Sequence, residues 1–555
     1  MLLNSISNSI KARPGRWLFC LIALPTLLRL WFVATGQLGL VQDEAQYWDW
    51  TRHLQLTYYS KGPLIAWIIS LFTGIFGNTE LGVRMGSIVG AALFPLLLWW
   101  LLAGLWKRPV LSVLAVFLAA VSPLFQALGI LMTTDNPFVL CWTLSMIALY
   151  AAATPDDSGR ERAVWPYLLL ALAYGVGILA KYTMLGMAGL ALGYGIVLQR
   201  GGVLPARFWP KLMGALTLGI IVGFLPTFIW NMHNGFVGYK HVLYLIGVSG
   251  EGAKTMFRLS RVPEYVGAQL GFALPWWFWL MLVSGLATAR QVWCAVSGNS
   301  TSTIRNEDAP TENAPEAAAA KGSGVSLAQS ALLVLFFWPM TLFFLAWSFH
   351  TKVLANWNSV SFVAGSILGA LELERIMLAS PTRRASRLVV SGVVASILLM
   401  LLLHLHQLLP IPPSLNPAHR LKGWEDMGAR MGQVAQQRFS DPKRVFFMSD
   451  VYDITASLAF YLPSQPRTYC LWWNSRRMNQ YDLWGGPQDM LGWDAVLVLK
   501  GDAAGMPPVL TDMFASVSGP YRYVASYREV PVRPFYYYLC YGYKGLWPHH
   551  ESGSF

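Results

Sequence analysis

Charge is what this sequence has least of. Only 12% of its 555 residues are Asp, Glu, Lys or Arg, against about a quarter in a water-soluble domain. So little charge cannot cover a soluble surface of this size, so much of the surface must face something other than water. Cysteine is scarce as well. There are five, with no CxxC pair and no HExxH sequence, so no motif argues for a metal centre. No glycine-rich dinucleotide-binding fingerprint occurs. The net charge of +13 is not gathered into a basic stripe interleaved with stacking aromatics, so nucleic acid is not an expected partner. The first apolar run lacks an obvious small-residue cleavage site and reads as a retained span, not a removed leader.

What is present is apolar: 55% of the chain is hydrophobic, with 25 Trp. Runs of about 20 apolar residues suit the hydrocarbon core of a bilayer, and Trp suits its interfaces. The pattern predicts an all-α polytopic membrane bundle of about eleven transmembrane helices, near 17–37, 84–106, 109–130, 136–153, 165–180, 183–198, 212–230, 267–289, 328–349, 356–373 and 388–409. Alternate loops differ in charge. One set holds Lys11, Arg13, Arg16, Lys107, Arg108, Arg160, Arg162, Arg200, Arg207, Lys211, Arg290, Arg305, Lys321, Arg375, Arg383, Arg384 and Arg387. The poorer set holds Arg52, Lys61, Arg84, Lys181, Lys240, Lys254, Arg258, Arg261 and Lys352. The richer side is expected to be cytoplasmic. That places the N-terminus in the cytoplasm. Residues 297–324 are polar and of low complexity, and read as a disordered cytoplasmic linker.

After Leu409 the composition changes, through the proline-rich LPIPPSLNP. The chain therefore divides into a membrane domain, 1–409, and a small α/β domain, 410–555, expected to be periplasmic. In the latter, Trp424–Phe439 and Ile454–Leu462 read as helices, and Arg444–Met448, Ala495–Lys500 and Phe535–Tyr543 as strands. Cys470 and Cys540 both fall here. They could form a disulfide in an oxidising compartment or remain two thiols, since sequence does not give proximity.

The first outer loop, Gln37 to Arg84, is long and rich in reactive side chains. Asp43 and Glu44 lie just beyond the first span. Such carboxylates can take a proton from an acceptor hydroxyl or hold a divalent cation. Read alone, the pair is better explained as the acidic first turn of a helix. The loop continues with Tyr58-Tyr59-Ser60-Lys61-Gly62-Pro63. Asp135 in TTDNP opens the fourth span, and Lys181 follows the fifth. Each has a structural reading: lysines snorkel and an aspartate caps. Together they put carboxylates and cations on one predicted face, and ionisable groups at such depth are usually functional. The outer segments around His233, Tyr239, Lys240 and His241 and around Arg258 and Arg261 are candidates for covering the site or binding an anionic donor head group, or are ordinary solvated interfacial loops. Arg29, inside the first span, either pairs with a carboxylate or lines a cavity. In the C-terminal domain, Arg476–Trp484 is a polar-aromatic stretch suited to sugar recognition or to packing on the bundle.

The ordered motifs DE, YxxKGPL, TTDNP, LAKYT, WNMHNG and KVLANW resemble the integral-membrane glycosyltransferases of the C superfamily (GT-C), in the bacterial branch similar to protein O-mannosyltransferases and the lipid A aminoarabinose transferase. The resemblance implies a helical bundle with short outer juxtamembrane helices, a sugar donor on a polyprenyl phosphate, and inverting transfer to a lipid, glycan or protein. It implies catalytic roles for Asp43, Glu44 and Asp135 and donor-phosphate binding by Lys61 and Lys181. Tyr58 and Tyr59 would contact donor or acceptor. A divalent cation, if used, would sit on Asp43 and Glu44; no other cofactor is implied. Gly62-Pro63 stands where relatives have two prolines, which predicts a more flexible loop. Two rival classes are a flippase for lipid-linked sugars, which should show midplane charges and repeated halves, and a non-catalytic membrane scaffold, which would not need these charges on one face.

Overall fold

A computed structural model describes residues 2–249, 258–297, 325–378, 383–405, 421–474, 476–501, 506–527 and 529–548. The chain is a multi-pass membrane protein. Eight of the described helices are long and apolar enough to cross a bilayer: Pro14–Ala34, Glu80–Leu105, Asp135–Ala153, Tyr182–Arg200, Phe208–His233, Pro275–Val296, Leu327–Trp347 and Arg383–Leu405. The remaining three expected spans are present in altered form. The segment expected at 109–130 is split into Pro109–Ala120 and Pro123–Leu128, because Pro123 cannot continue a helix and restricts Ser122 before it. Trp165–Ala180 is short. Ser361–Leu378 carries Glu372, Glu374 and Arg375 near its end, and most of it is buried among other helices.

The span expected at 267–289 is displaced. Val262–Ala273 ends at Leu274, whose φ of 65° breaks the helix, and Pro275 starts the next one. Proline is well placed at a first helical position, where its missing N–H costs nothing. The Trp165–Ala180 and Phe208–His233 helices meet backbone to backbone. A Cβ on Gly223 would lie 2.4 Å from the carbonyl oxygen of Gly175, so only glycine allows this approach.

Two short helices lie in the loop between the Pro14–Ala34 and Glu80–Leu105 spans. Gln42–Thr51 is almost wholly buried after its first turn, and Leu64–Phe76 is apolar. The C-terminal part holds one five-stranded sheet: β1 (Val445–Ser449), β2 (Thr468–Cys470), β3 (Asp494–Lys500), β4 (Phe514–Tyr527) and β5 (Val530–Tyr543), in the order β2-β1-β3-β5-β4. β1 runs parallel to β2 and β3, while β5 is antiparallel to β3 and β4. Alternation along β1 sends Val445 and Phe447 to the Trp424–Arg438 and Tyr452–Tyr461 helices and Phe446 and Met448 to the other face, against Leu510 and Met513, as the two-residue strand period requires.

Cys470 and Cys540 are free thiols. They lie on β2 and β5, three strands apart, about 14 Å at the usual strand spacing, well beyond disulfide reach. The linker at 298–324 and the boundary at 409/410 lie outside the described residues.

The sheet domain is tied to the loop between the first two spans. Tyr47, Trp48, Trp50 and Tyr58 share one core with Ala456, Phe460, Cys470 and Tyr481. The Tyr481 hydroxyl donates to Asp49 at 2.7 Å, and Arg52 donates to the carbonyls of Gln465 and Pro466.

Candidate active site

Asp43 sits in the first turn of the Gln42–Thr51 helix with its side chain exposed. The Tyr452 hydroxyl, from the sheet domain, donates to its Oδ1 at 3.2 Å. Burial, followed by the nearby Asp43 charge, pushes the Tyr452 phenol up, so it stays a donor. Glu44, the next residue, points the other way and is fully buried. Its carboxylate takes Arg84 on both oxygens (2.7 Å from Nη2 to Oε2), the Met132 amide at 2.7 Å and the Val41 amide at 2.9 Å. Arg84 also donates to the carbonyls of Leu38 and Gly39. Every strong acceptor site of Glu44 is therefore used internally. The geometry does not fit a reacting or metal-binding Glu44. It fits a post that locks the start of the helix, and so Asp43, to the Glu80 span and to the loop before Asp135. Among the described residues no group of three or more His, Cys, Asp or Glu stands close enough together to hold a metal ion.

Asp135 opens its helix and is buried. It accepts from Lys181 Nζ at 2.8 Å, from Asn356 Nδ2 at 2.8 Å and from Ser359 Oγ at 3.3 Å. Two distant segments, around Lys181 and at 356–359, thus converge on one carboxylate. Lys181 also lies 5.5 Å from the centre of the Phe138 ring. Its charge is largely committed to Asp135.

Lys61 differs. It is half-buried, and among the described residues its ammonium has no hydrogen-bonded or ion-paired partner. Burial lowers its pKa, the Lys181 charge lowers it further, and Asp43 and Asp135 oppose them. These four charges therefore act in one region. Tyr47 lies between the two carboxylates in the same sense: burial, then Asp43, Tyr452, Asp135 and Glu44 all push its phenol up.

The loop carrying Lys61 is fixed, contrary to the flexibility that Gly62-Pro63 suggests. Thr57 Oγ1 and the Tyr58 amide both donate to the Lys61 carbonyl at 3.1 Å. Gly62 packs so closely on the end of the Trp165–Ala180 helix that a Cβ would lie 2.0 Å from the Leu179 carbonyl oxygen. Leu179 is two residues before Lys181, so Gly62 is what brings the two lysine-bearing segments together. Gly62→Ala is expected to lower stability by about 1–3 kcal/mol, the usual cost of overpacking, and to reduce transfer out of proportion to the protein that remains folded. Thermal unfolding of the purified variant in detergent, beside its turnover, checks this; unchanged stability and turnover would show that the close approach is not needed.

The other expected residues divide. Tyr58 is structural: it stacks on Trp50 at 4.3 Å, and its hydroxyl donates to the carbonyls of Trp50 and His53. Tyr59 is buried beside the His241 ring at 4.6 Å. His233 is exposed at the end of its helix, while Asn231, two residues earlier, ties the following turn through the amides of Gly238 and Tyr239. Arg258 is exposed and Arg261 half-buried, with no described contact to Lys61. Arg29 pairs with no carboxylate among the described residues. It donates to Gln126 Oε1 at 3.2 Å, packs on the bare Cα of Gly129 and lines a cavity with Asn136. Sequence reasoning missed Arg84 as a buried anchor, and it missed Tyr452, Tyr47 and Ser359; His241 stood in the outer segment it had marked. Asn356 stood inside the KVLANW motif, which was the only signal for it.

The helical bundle with its five-stranded sheet domain is an architecture shared with solved integral-membrane proteins. The same architecture is seen in ArnT from Cupriavidus metallidurans bound to undecaprenyl phosphate, with a TM-score of 0.60 over 94% of this chain and 98% of that one at 14% identity. Residues 60–230 match the family model described as dolichyl-phosphate-mannose-protein mannosyltransferase. The chain is 28% identical over 257 residues to the undecaprenyl phosphate-α-4-amino-4-deoxy-L-arabinose arabinosyl transferase of Pseudomonas paraeruginosa, covering 44% of this chain and 43% of the relative. It thus spans less than half the length of that relative. It is 23% identical over 423 residues to the lipid A galacturonosyltransferase RgtD of Rhizobium johnstonii, covering 76% of this chain and 77% of the relative.

Proposed function

We propose that this chain is a membrane glycosyltransferase. It moves a sugar from a polyprenyl-phosphate carrier to a lipid, glycan or protein acceptor on the outer face of a bacterial inner membrane. The observation that carries the reading is the convergence of Asp43, Lys61 and the Asp135–Lys181 pair at the outer end of the bundle. The family-model match and the arabinosyl and galacturonosyl transferase relatives support it. The charge difference between loops supports a cytoplasmic N-terminus and a periplasmic sheet domain. The domains are 1–409 and 410–555.

In the reaction, an acceptor oxygen attacks the anomeric carbon from the side opposite the carrier phosphate. The new C–O bond forms as the bond to the phosphate oxygen breaks, and the phosphate leaves with the electron pair. Lys61 faces the charge that develops there, and fixed cations stabilise such charge best where water is excluded. Lys181, held by Asp135, adds to the same field. Asp43 takes the proton of a hydroxyl acceptor.

The test is mass spectrometry of envelope lipids, glycans and proteins from a deletion strain, beside the purified protein given a lipid-phosphate-linked sugar in nanodiscs. A sugar missing from one component, with release of the free carrier phosphate in vitro, is the expected result. An unchanged envelope together with no carrier release would overturn the proposal.

A further inference from the structure

We infer that the sheet domain contributes a substrate-binding residue, Arg477, to a subsite it forms with Tyr59, His241 and Gln480, and that this subsite takes an oxyanion carried by the substrate. The inference rests on the glycosyltransferase reading above.

Residues 476–484 are held against the first outer loop at several points. Arg476 is paired with Asp482 through both guanidinium ends, Nη2 to Oδ1 at 2.6 Å and Nη1 to Oδ2 at 2.8 Å. Asn479 caps the next short helix, accepting from the Tyr481 amide at 2.9 Å. Gln480 Oε1 accepts the Tyr59 amide at 2.7 Å. Met478 and Leu483 pack on Tyr59, Trp230 and Val237. The segment is thus a rigid bridge between the sheet domain and the outer loop.

Arg477 is the residue on this bridge whose charge is not consumed. Its neighbour Arg476 takes Asp482, and among the described residues no acidic group pairs with Arg477. The guanidinium is exposed and lies 5.0 Å from the centre of the Tyr244 ring. That contact fixes its plane without neutralising it. A pre-oriented guanidinium offers paired donors to phosphate or carboxylate oxygens.

The groups beneath it are polar and unsatisfied. Tyr59 is 2% exposed and Gln480 1%. The Tyr59 hydroxyl, the Gln480 amide nitrogen and His241 Nδ1 are all buried without a hydrogen-bond partner among the described residues. Buried polar groups left unpaired are costly and uncommon, and three around one junction mark a place that is completed by a ligand. They belong to one neighbourhood. The Tyr59 and His241 rings are 4.6 Å apart, and Gln480 holds the Tyr59 backbone. The His241 imidazole feels both Lys61 and Arg477, which, after burial, push its pKa down to about 4. It is therefore neutral at physiological pH, able to donate or accept one hydrogen bond to a sugar hydroxyl, with the Arg477 and Lys61 charges both near enough to act on it.

The experiment uses full-length protein in nanodiscs with an undecaprenyl-phosphate-linked sugar and an anionic acceptor, each varied separately. Undecaprenyl phosphate alone serves as a binding probe. Arg477→Gln is expected to raise one KM about tenfold with kcat within about twofold, the loss of one charge-assisted contact, and Arg477→Lys is expected to recover part of it. A higher donor KM with equally weakened binding of undecaprenyl phosphate locates the oxyanion on the donor. A rise confined to the acceptor locates it there. Arg438→Gln, an exposed arginine elsewhere on the same domain, controls for surface charge. If Arg477→Gln leaves both KM values and probe binding unchanged while Lys61→Ala abolishes transfer, the functional reading stands and this inference fails. If the parent protein itself transfers no sugar and releases no carrier phosphate, the functional reading fails instead.

Discussion

Asp43→Asn is expected to lower kcat for a hydroxyl acceptor by about 10²–10⁴-fold, the usual contribution of a positioned base, while the donor KM changes little. The argument is geometric. Asp43 is the acidic group of the cluster that is both exposed and uncommitted to a cation. Asp135 is enclosed by Lys181, Asn356 and Ser359, and Glu44 is enclosed by Arg84 and two amides. Asparagine keeps the shape, and its carbonyl oxygen can still accept from Tyr452. What it loses is the capacity to take a proton. The helix loses one acidic residue from its first turn, which costs about 0.3–1 kcal/mol, so folding and insertion should survive. Size-exclusion profile and thermal unfolding verify that point, and single-turnover rates report the chemistry. A hydroxyl acceptor glycosylated at the parental rate would remove Asp43 as the base. An acceptor that is itself a phosphate carries no proton to remove at neutral pH. With it the same substitution should cost far less, so the pair of acceptors separates proton transfer from positioning.

The contrast between Asp43 and Glu44 also shows where sequence reasoning ends. Two adjacent carboxylates in one helical turn differ by about 100° in direction. Their opposite fates follow from that rotation, yet the letters DE do not say which one meets Arg84. Arg84 itself read as an ordinary outer-loop cation, because nothing local marks an arginine whose partner lies 40 residues earlier in the chain. The apolar spans were legible because the bilayer imposes length and composition on each one separately. The split at Pro123 and the break before Pro275 had a local signal in the prolines, but hydropathy masked it. In the sheet domain, β1, β3 and β5 were legible as runs of Val, Phe, Leu and Tyr. β4 was not: ASVSGPYRY is small and polar because the strand lies at the sheet edge and is mostly exposed. Gly62 misled for a related reason. Its freedom as an isolated residue suggested mobility, whereas the packed chain uses its missing Cβ for close approach to Leu179.

That close approach gives the second large effect its physical basis. Lys61→Ala is expected to lower kcat/KM by about 10²–10³-fold, the range for removing one preorganised group that stabilises transition-state charge. Lys181 cannot replace it, because its ammonium is bound to Asp135 at 2.8 Å. The pH dependence has a definite sign. Lys61 must be protonated to face a phosphate, and burial, with Lys181 second, holds its pKa below the usual lysine range, against the pull of Asp43 and Asp135. In the free enzyme the active cation is therefore lost as pH rises through a value lower than that of a lysine in water. kcat/KM should fall on the alkaline side accordingly. Bound donor phosphate places a negative charge beside the ammonium and raises its pKa again, so the fall in kcat should come at higher pH than the fall in kcat/KM. Lys61→Arg keeps a cation that does not titrate in this range. It should restore part of the rate and move the alkaline limb of kcat/KM upward. Profiles of both parameters for the parent and the arginine variant decide the matter. An alkaline limb that stays in place in Lys61→Arg would assign that titration to another group, and an alanine variant with near-parental turnover would remove Lys61 from the phosphate site.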